Sequence, residues 1–287
     1  MTVMAEREVQ ADASNPLGLE GIEFVEYATS RPQALGHVLE QMGFQPVARH
    51  RSREVLLYRQ GGMNIVVNAH GGKAGELPPE APQISAIALR VRDAAAARRR
   101  VIERGAWEVP VQVEPMELNI PAIHGVGSSR LYFVDRHREF SIYDVDFIPI
   151  PGVDRQPQAL AGLQWFGVVQ YIGRDRLDDW CAFYSALFGF TLLADDQRFG
   201  ILPSGRVLAS PCGTFYLQLV EPEAGAADGD EALQRVAFGA PDVLAAVAAL
   251  RGRGVGFVET PSLHTGQRGA LTQTWLDGST MFELVHR

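Results

Sequence analysis

Residues 232–287 contain the unit from which the whole chain is built. They read Leu233-Gln-Arg-Val-Ala-Phe238, then an apolar helical pattern that stops at Gly252, and then the segments Leu271-Thr-Gln-Thr-Trp275 and Thr280-Met-Phe-Glu-Leu-Val-His-Arg287. Alternating apolar and polar residues are typical of half-buried strands, whereas apolar residues three and four positions apart are typical of a helix that packs on a sheet. The stretch therefore predicts a strand–helix–strand–strand–strand unit.

Three earlier stretches of the chain repeat this unit. The predicted opening strands are residues 21–27, 84–91, 164–171 and 234–238, and the predicted helices are residues 31–42, 93–104, 177–187 and 241–251. The second unit is predicted to end in a strand at residues 141–147. A repeat of about 55 to 65 residues indicates one supersecondary unit used several times. The fold class is therefore predicted as α+β, with four βαβββ modules. Two modules side by side form a curved, eight-stranded sheet around a pocket, with the helices outside.

A proline- and glycine-rich segment divides the chain nearly in half. Residues 149–161 have the composition of a linker. We therefore predict an N-terminal domain at residues 15–148 and a C-terminal domain at residues 162–287. Residues 1–14 are charged and lack an apolar run, so they are predicted to form a disordered tail and not a secretory signal.

The composition argues against several classes of partner. The net charge is −8, which is unfavourable for a protein whose main partner is a nucleic acid. The two cysteines, Cys181 and Cys212, form neither a disulfide framework nor a metal-binding pair, which fits a reducing cytosol. No stretch approaches about 18 apolar residues, so no membrane span is expected. These features predict a cytoplasmic protein.

Specific stretches of the first half resemble a known family. They are Asn15-Pro-Leu-Gly-Leu-Glu-Gly-Ile-Glu-Phe24, Met42-Gly-Phe44, Leu57-Tyr-Arg-Gln60, Asn64-Ile-Val-Val-Asn68, Pro115-Met-Glu-Leu-Asn-Ile-Pro-Ala-Ile-His-Gly-Val-Gly127 and Ser141-Ile-Tyr-Asp-Val-Asp-Phe147. This pattern resembles bacterial 4-hydroxyphenylpyruvate dioxygenases, which belong to the vicinal oxygen chelate superfamily. The resemblance continues more weakly over residues 162–287. It implies a scaffold half, an active-site half and homo-oligomerisation, although no feature of the sequence itself indicates an oligomer.

The resemblance also implies an iron site in the second half, made of two histidines and one glutamate. Three such ligands hold Fe(II) and leave positions open for a 2-oxo acid and O₂. Counting back from Trp180, the first histidine position is Gly167, or Phe166 or Val168 if the alignment shifts by one residue. The second histidine position is Arg235, and the glutamate is Glu283. Glycine offers no donor atom and arginine offers no lone pair. Glu283 is therefore the only metal ligand of the family that survives, and the site is predicted to be without iron.

The other pocket residues of the family are only partly present in this sequence. Gln273 matches a glutamine that faces the substrate in the family, and Phe282 matches an aromatic residue before the glutamate. Gln218 and Val220 replace a proline and an asparagine. These residues are expected to bind the ligand, or alternatively to be ordinary strand residues of a core. His264 is the histidine that a loop would most easily bring into the site.

Three functions remain open at this point. The first hypothesis is a protein that binds a small aromatic or 2-oxo carboxylic acid without iron, with Arg235 as the fixed positive charge beside Glu283. The second is an Fe(II)-dependent dioxygenase of the family's type. The third is a metal-independent enzyme of the lyase or isomerase type, in which Glu283 is a general base tuned by Arg235. For the ion pair, a purely structural role is equally open.

Overall fold

The computed structural model describes residues 14–70, 77–110, 118–138, 140–194, 205–223, 225, 228–259 and 269–287. The elements of the N-terminal half are β1 (Leu19–Ala28), α1 (Pro32–Gln41), β2 (Gln45–His50), β3 (Val55–Gln60), β4 (Met63–Asn68), β5 (Gln83–Val91), α2 (Ala94–Glu103), β6 (Ala122–His124), β7 (Arg130–Val134), α3 (Ile142–Asp146) and β8 (Phe147–Pro149). Those of the C-terminal half are β9 (Gln164–Tyr171), α4 (Leu177–Phe188), β10 (Thr191–Leu192), β11 (Arg206–Ala209), β12 (Tyr216–Val220), β13 (Ala232–Ala240), α5 (Val243–Arg251), β14 (Ala270–Leu271) and β15 (Phe282–His286).

The predicted modules are visible in the way the strands pair. In the first and third modules the opening strand lies parallel to the last strand, as β1 with β4 and β9 with β12. In the fourth module the same relation joins β13 with β15, and in the second module β5 lies parallel to β7, which precedes the short strand β8. The opening strands of paired modules lie antiparallel, β1 with β5 and β9 with β13. Each half is therefore one curved sheet made of two modules.

Among the residues that the structure describes, the pairing of Leu233 with Ile84 joins the two sheets. Through it, all fifteen described strands belong to one continuous sheet, in which β1–β8 come from the first half and β9–β15 from the second. Eight strands are thus described in the N-terminal half, as predicted, and seven in the C-terminal half.

Helices α2 and α5 begin in the same way, which is a further sign of the repeat. Asp93 accepts a hydrogen bond from the backbone N–H of Ala96, at 2.8 Å, and Asp242 accepts one from Ala245, at 3.0 Å. Aspartate at the N-cap satisfies one of the backbone donors that a helix leaves unpaired at its start.

The strand predicted at residues 141–147 is wrong. Residues Ile142–Asp146 form the short helix α3, and the strand β8 begins only at Phe147. The cause is local: Asp144 accepts hydrogen bonds from the backbone N–H and the hydroxyl of Ser141, at 2.9 and 2.8 Å. This capping box stabilises the first turn of a helix at a place where the apolar pattern alone resembles a strand.

Helices α1, α2, α4 and α5 lie on the convex side of the sheets and meet between the two halves. One hydrophobic core contains residues of α1 and α2 together with residues of α4 and α5. Aromatic pairs cross the junction, with ring centroids 5.8 Å apart for Phe44 and Phe238 and 6.2 Å apart for Phe133 and Phe188. The guanidinium of Arg253 also donates to the backbone oxygen of Glu40, at 2.7 Å. The halves are therefore packed on each other through their helices, and each concave face is left on the far side. In the described parts of the chain, no helix is both long and apolar enough to span a bilayer.

Candidate functional site

The concave face of the C-terminal sheet brings the three implied ligand positions together. Gly167 on β9 pairs with Ala237 on β13, and Ala237 pairs with Glu283 on β15. Arg235 lies two residues before Ala237 on the same strand. Side chains two residues apart on a strand, and those of directly paired residues, lie on the same face. Positions 167, 235 and 283 therefore share one face of the sheet.

Arg235 and Glu283 form a buried ion pair on this face. The guanidinium Nε donates to Glu283 Oε2 at 2.9 Å, and the two side chains are only 2% and 1% exposed. A hydrogen bond between an ionised donor and an ionised acceptor is about twice as strong as one between neutral groups. The positive charge at position 235 is therefore held in a fixed place directly beside Glu283.

A β-bulge supplies the second partner of Arg235. The pairing of β13 with β9 shifts between Leu233 and Arg235, which leaves Gln234 as the extra residue. Gln234 Oε1 accepts a hydrogen bond from Arg235 Nη1 at 2.7 Å, although the two residues are neighbours in sequence. Bulges of this kind change the direction of side chains next to functional sites. The remaining nitrogen, Nη2, is buried and has no hydrogen-bond partner among the described residues.

Gly167 leaves no room for a side chain. A Cβ atom built at this position would collide with the backbone carbonyl group of Tyr216, which lies opposite Gly167 on the neighbouring strand β12. The obstacle is backbone and not a flexible side chain, so β12 would have to move. Strand β12 therefore lies so close to position 167 that glycine fits there and histidine does not.

A second bulge places Phe166 on the concave face as well. The register of β9 against β13 shifts between Ala237 and Phe238, so that Phe166 is the extra residue. The Phe166 side chain packs against Ala237 and Val285, and its ring centroid is 5.0 Å from that of Tyr216. Phe166 is thus the aromatic residue beside Gly167 on the face that carries the ion pair.

The space that remains beside Glu283 is small. A cavity of about 20 Å³ lies between β9, β12, β13 and β15, which is on the order of one water molecule. Its walls include Phe166, Gly167, Tyr216, Gln218 and Glu283. In this conformation, the protein's own side chains occupy most of the volume that a larger ligand would need.

The other predicted site residues are distributed over different surroundings. Gln218 lines the cavity and is buried. Phe282 is fully buried on the opposite face of β15, where its ring stacks on Phe238 with centroids 5.5 Å apart. Gln273 is exposed and lies beside Gly256, outside the walls of the cavity. His264 lies outside the described residues.

Sequence reasoning missed Tyr216 and Gln234, and it named Phe166 only as the first histidine position of a shifted alignment. Tyr216 is the residue paired with Gly167, and Phe166 and Gln234 reach their places through bulges. A bulge depends on how two strands pair, and strict alternation along one strand contains no signal for it.

The corresponding face of the N-terminal half is filled by a hydrophobic cluster. Phe24, Ala88 and Tyr132 form the row on β1, β5 and β7 that matches Gly167, Ala237 and Glu283. Helix α3 covers this face with Ile142 and Tyr143, and burial raises the pKa of Tyr143 well above its usual range. The row formed by Phe24, Ala88 and Tyr132 therefore has no ion pair that corresponds to that of Arg235 and Glu283.

The donors at positions 167, 235 and 283 do not fit an iron centre. One carboxylate is present, its oxygen is bonded to a guanidinium, and the first position has no space for any side chain. Across the described ranges, no group of three His, Cys, Asp or Glu side chains is placed to hold a metal ion. A non-haem iron site needs three such donors around one point.

Comparisons with known proteins agree with the fold. Residues 13–148 match the family model described as "Hydroxyphenylpyruvate dioxygenase, HPPD, N-terminal", and residues 164–274 match that of the glyoxalase/bleomycin resistance protein/dioxygenase superfamily. The predicted fold class, an α+β protein with the curved sheets of the vicinal oxygen chelate superfamily, is confirmed.

Individual relatives cover most of the chain. Hemolysin VllY of Vibrio vulnificus is 35% identical over 270 residues, which are 88% of this chain and 76% of the relative. The 4-hydroxyphenylpyruvate dioxygenase of Pseudomonas sp. (strain P.J. 874) is 35% identical over 264 residues, 86% of this chain and 73% of the relative. A solved structure of a xylose isomerase-like TIM barrel/4-hydroxyphenylpyruvate dioxygenase fusion protein aligns with a TM-score of 0.72 and 26% identity, over 94% of this chain and 49% of the fusion protein. The chain therefore belongs to the 4-hydroxyphenylpyruvate dioxygenase family.

Proposed function

We propose that this chain binds a small aromatic or 2-oxo carboxylic acid in its C-terminal site without iron. The observation that carries the proposal is the buried hydrogen bond of 2.9 Å between Arg235 Nε and Glu283 Oε2. It puts a permanent positive charge at one of the positions to which the family resemblance assigns a metal ligand. The names of the relatives, which include 4-hydroxyphenylpyruvate dioxygenase, support an acid of the 2-oxo class.

The guanidinium can take over part of what a metal ion contributes to binding. It balances the charge of Glu283, and it offers several N–H donors in a plane that matches a carboxylate. It supplies no open coordination position and no electron to O₂. The proposed role is therefore binding, and oxidation of the ligand is not part of it.

The end of the guanidinium away from Glu283 is the place where a ligand carboxylate would bind. Nη2 has no hydrogen-bond partner among the described residues, and Nη1 donates to Gln234, which is an exposed residue. A carboxylate that displaces the Gln234 contact would receive two parallel hydrogen bonds from Nη1 and Nη2. Glu283 would keep its own bond to Nε.

Two other functions have less support from the geometry. An Fe(II)-dependent dioxygenase requires ligands that positions 167 and 235 do not supply. A metal-independent enzyme with Glu283 as general base requires a carboxylate that is free to accept a proton from the substrate, whereas the Glu283 carboxylate is bonded to Arg235. The binding function requires no change at Glu283.

Calorimetric titration of chelator-treated protein with pyruvate and with 4-hydroxyphenylpyruvate tests the proposal. We expect saturable binding of at least one acid without added metal. Arg235→Leu is expected to weaken it about tenfold or more, since a hydrogen bond to a charged group contributes about 1.5–3 kcal/mol. Glu283→Gln is expected to strengthen it, because the amide removes the internal carboxylate that competes for the guanidinium.

Arg90→Leu is the matched control. Arg90 pairs with the buried Glu23 in the N-terminal half, so the variant has the same change in charge and also breaks an arginine–glutamate pair. It is expected to bind the acids as the unchanged chain does. Binding that is undiminished in Arg235→Leu, or that appears only after iron is added, would contradict the proposed function.

A further inference from the structure

The Phe166 ring occupies space in the C-terminal site that the ring of an aromatic ligand would need. The bulge in β9 puts this residue on the concave face, next to Gly167, where regular alternation would have turned it to the other side. Its ring is buried against Ala237 and Val285 and lies against the ring of Tyr216. Phe166 therefore fills space on the same face as Glu283.

The volume that remains beside Glu283 is too small for an aromatic ring. The cavity beside Glu283 measures about 20 Å³, whereas an apolar cavity that binds benzene measures about 150 Å³. A phenyl group cannot enter while the Phe166 and Tyr216 rings keep their places. A 2-oxo acid without a ring needs no space at the position of these rings, because its carboxylate binds outside this cavity, at the end of the Arg235 guanidinium that contacts Gln234.

We infer that Phe166 determines the specificity of the site, which takes small aliphatic 2-oxo acids and excludes those that carry an aryl group. This inference rests on the proposed function and narrows its class of ligand. Removing the phenyl group of Phe166 vacates a space of the size and shape of a benzene ring. An aryl acid can then place its own ring where the ring of Phe166 was.

The test compares pyruvate with phenylpyruvate on the unchanged chain and on Phe166→Ala. We expect the unchanged chain to bind pyruvate at least tenfold more tightly than phenylpyruvate, and Phe166→Ala to reverse this preference. Phenylpyruvate, but not pyruvate, is expected to raise the Tm of Phe166→Ala. Phe166→Leu fills the site in part and is expected to give an intermediate preference, which keeps the test valid if the alanine variant folds poorly.

Phe183→Ala is the matched control, because it also removes one phenyl group from the C-terminal half of the molecule. Phe183 lies in α4, where its ring contacts Trp180 and Tyr184 on the helical side of the sheet. This variant is expected to keep the preference for pyruvate.

The outcomes separate this inference from the proposed function. Equal or tighter binding of phenylpyruvate by the unchanged chain would overturn the inference and leave the binding function intact, as would a preference that Phe166→Ala does not alter. If neither acid binds to the unchanged chain, to Phe166→Ala or to Glu283→Gln, the proposed function fails and the inference fails with it.

Discussion

Arg235 and Glu283 lie 48 positions apart in the sequence and on adjacent strands, and they form an ion pair that is almost entirely buried. Each of the two charges needs the other to offset the free-energy cost of its burial. Taking two charges out of water costs several kcal/mol per ion, and only their mutual attraction and hydrogen bonds offset that cost.

This dependence predicts a strong coupling between the two side chains. Arg235→Leu and Glu283→Leu are each expected to lower the free energy of unfolding by about 3–5 kcal/mol, because each leaves one buried charge without its partner. The double variant Arg235→Leu/Glu283→Leu is expected to lose much less than the sum, since no charge remains to be buried. Urea unfolding of the four proteins measures the coupling. Losses that simply add would show that the pair does not act as a unit.

A second prediction concerns the close contact between Gly167 and β12. Gly167→Ala is expected to lower the free energy of unfolding by about 1–3 kcal/mol, because the new Cβ meets the carbonyl group of Tyr216 and the strands must separate. Gly62→Ala is the control, since a Cβ at Gly62 meets nothing within 4 Å. Chemical unfolding should show a loss for the first variant and little change for the second. Equal stability of both variants would mean that β12 moves away freely and that the backbone of Tyr216 does not exclude a Cβ atom at position 167.

Buried tyrosines predict how stability depends on alkaline pH. Burial, with a contribution from Glu40, raises the pKa of Tyr58 to about 12, and burial alone raises the pKa of Tyr27 above its usual range. The folded protein therefore keeps these protons at a pH where the unfolded chain, with tyrosine pKa values of about 10, releases them. The stabilising effect is complete below about pH 10 and is lost as the pH rises through about 12.

Tyr58→Phe tests this dependence, because phenylalanine has no proton to lose. Urea unfolding midpoints between about pH 9 and pH 11 are expected to fall less steeply for Tyr58→Phe than for the unchanged chain. Parallel slopes would show that Tyr58 has the same pKa in the folded and the unfolded protein.

Much of the fold was predictable because its signals are local. Strand β9 has the predicted bounds, Gln164–Tyr171, and helix α4 ends within one residue of its prediction because Gly189 adopts the left-handed conformation that closes it. Helix α3 was not predicted, since the capping box of Ser141 and Asp144 competes with an apolar pattern that also suits a strand.

The site was predictable in its central pair but not in its walls. Positions 235 and 283 were identified because the resemblance assigns metal ligands to both and because arginine at position 235 cannot be one. Phe166 and Gln234 face the site only through bulges, which arise from the register between strands far apart in the sequence. The size of the cavity follows from these residues, so it could not be read from the sequence.

The most direct test of the central claim is the iron content of the protein after anaerobic loading with Fe(II) and removal of unbound metal. The proposed replacement of the metal by Arg235 predicts far less than one iron per chain and no O₂ uptake when 4-hydroxyphenylpyruvate is added. Close to one iron per chain, with O₂ uptake that depends on this acid, would contradict the account and would require a ligand set other than positions 167, 235 and 283.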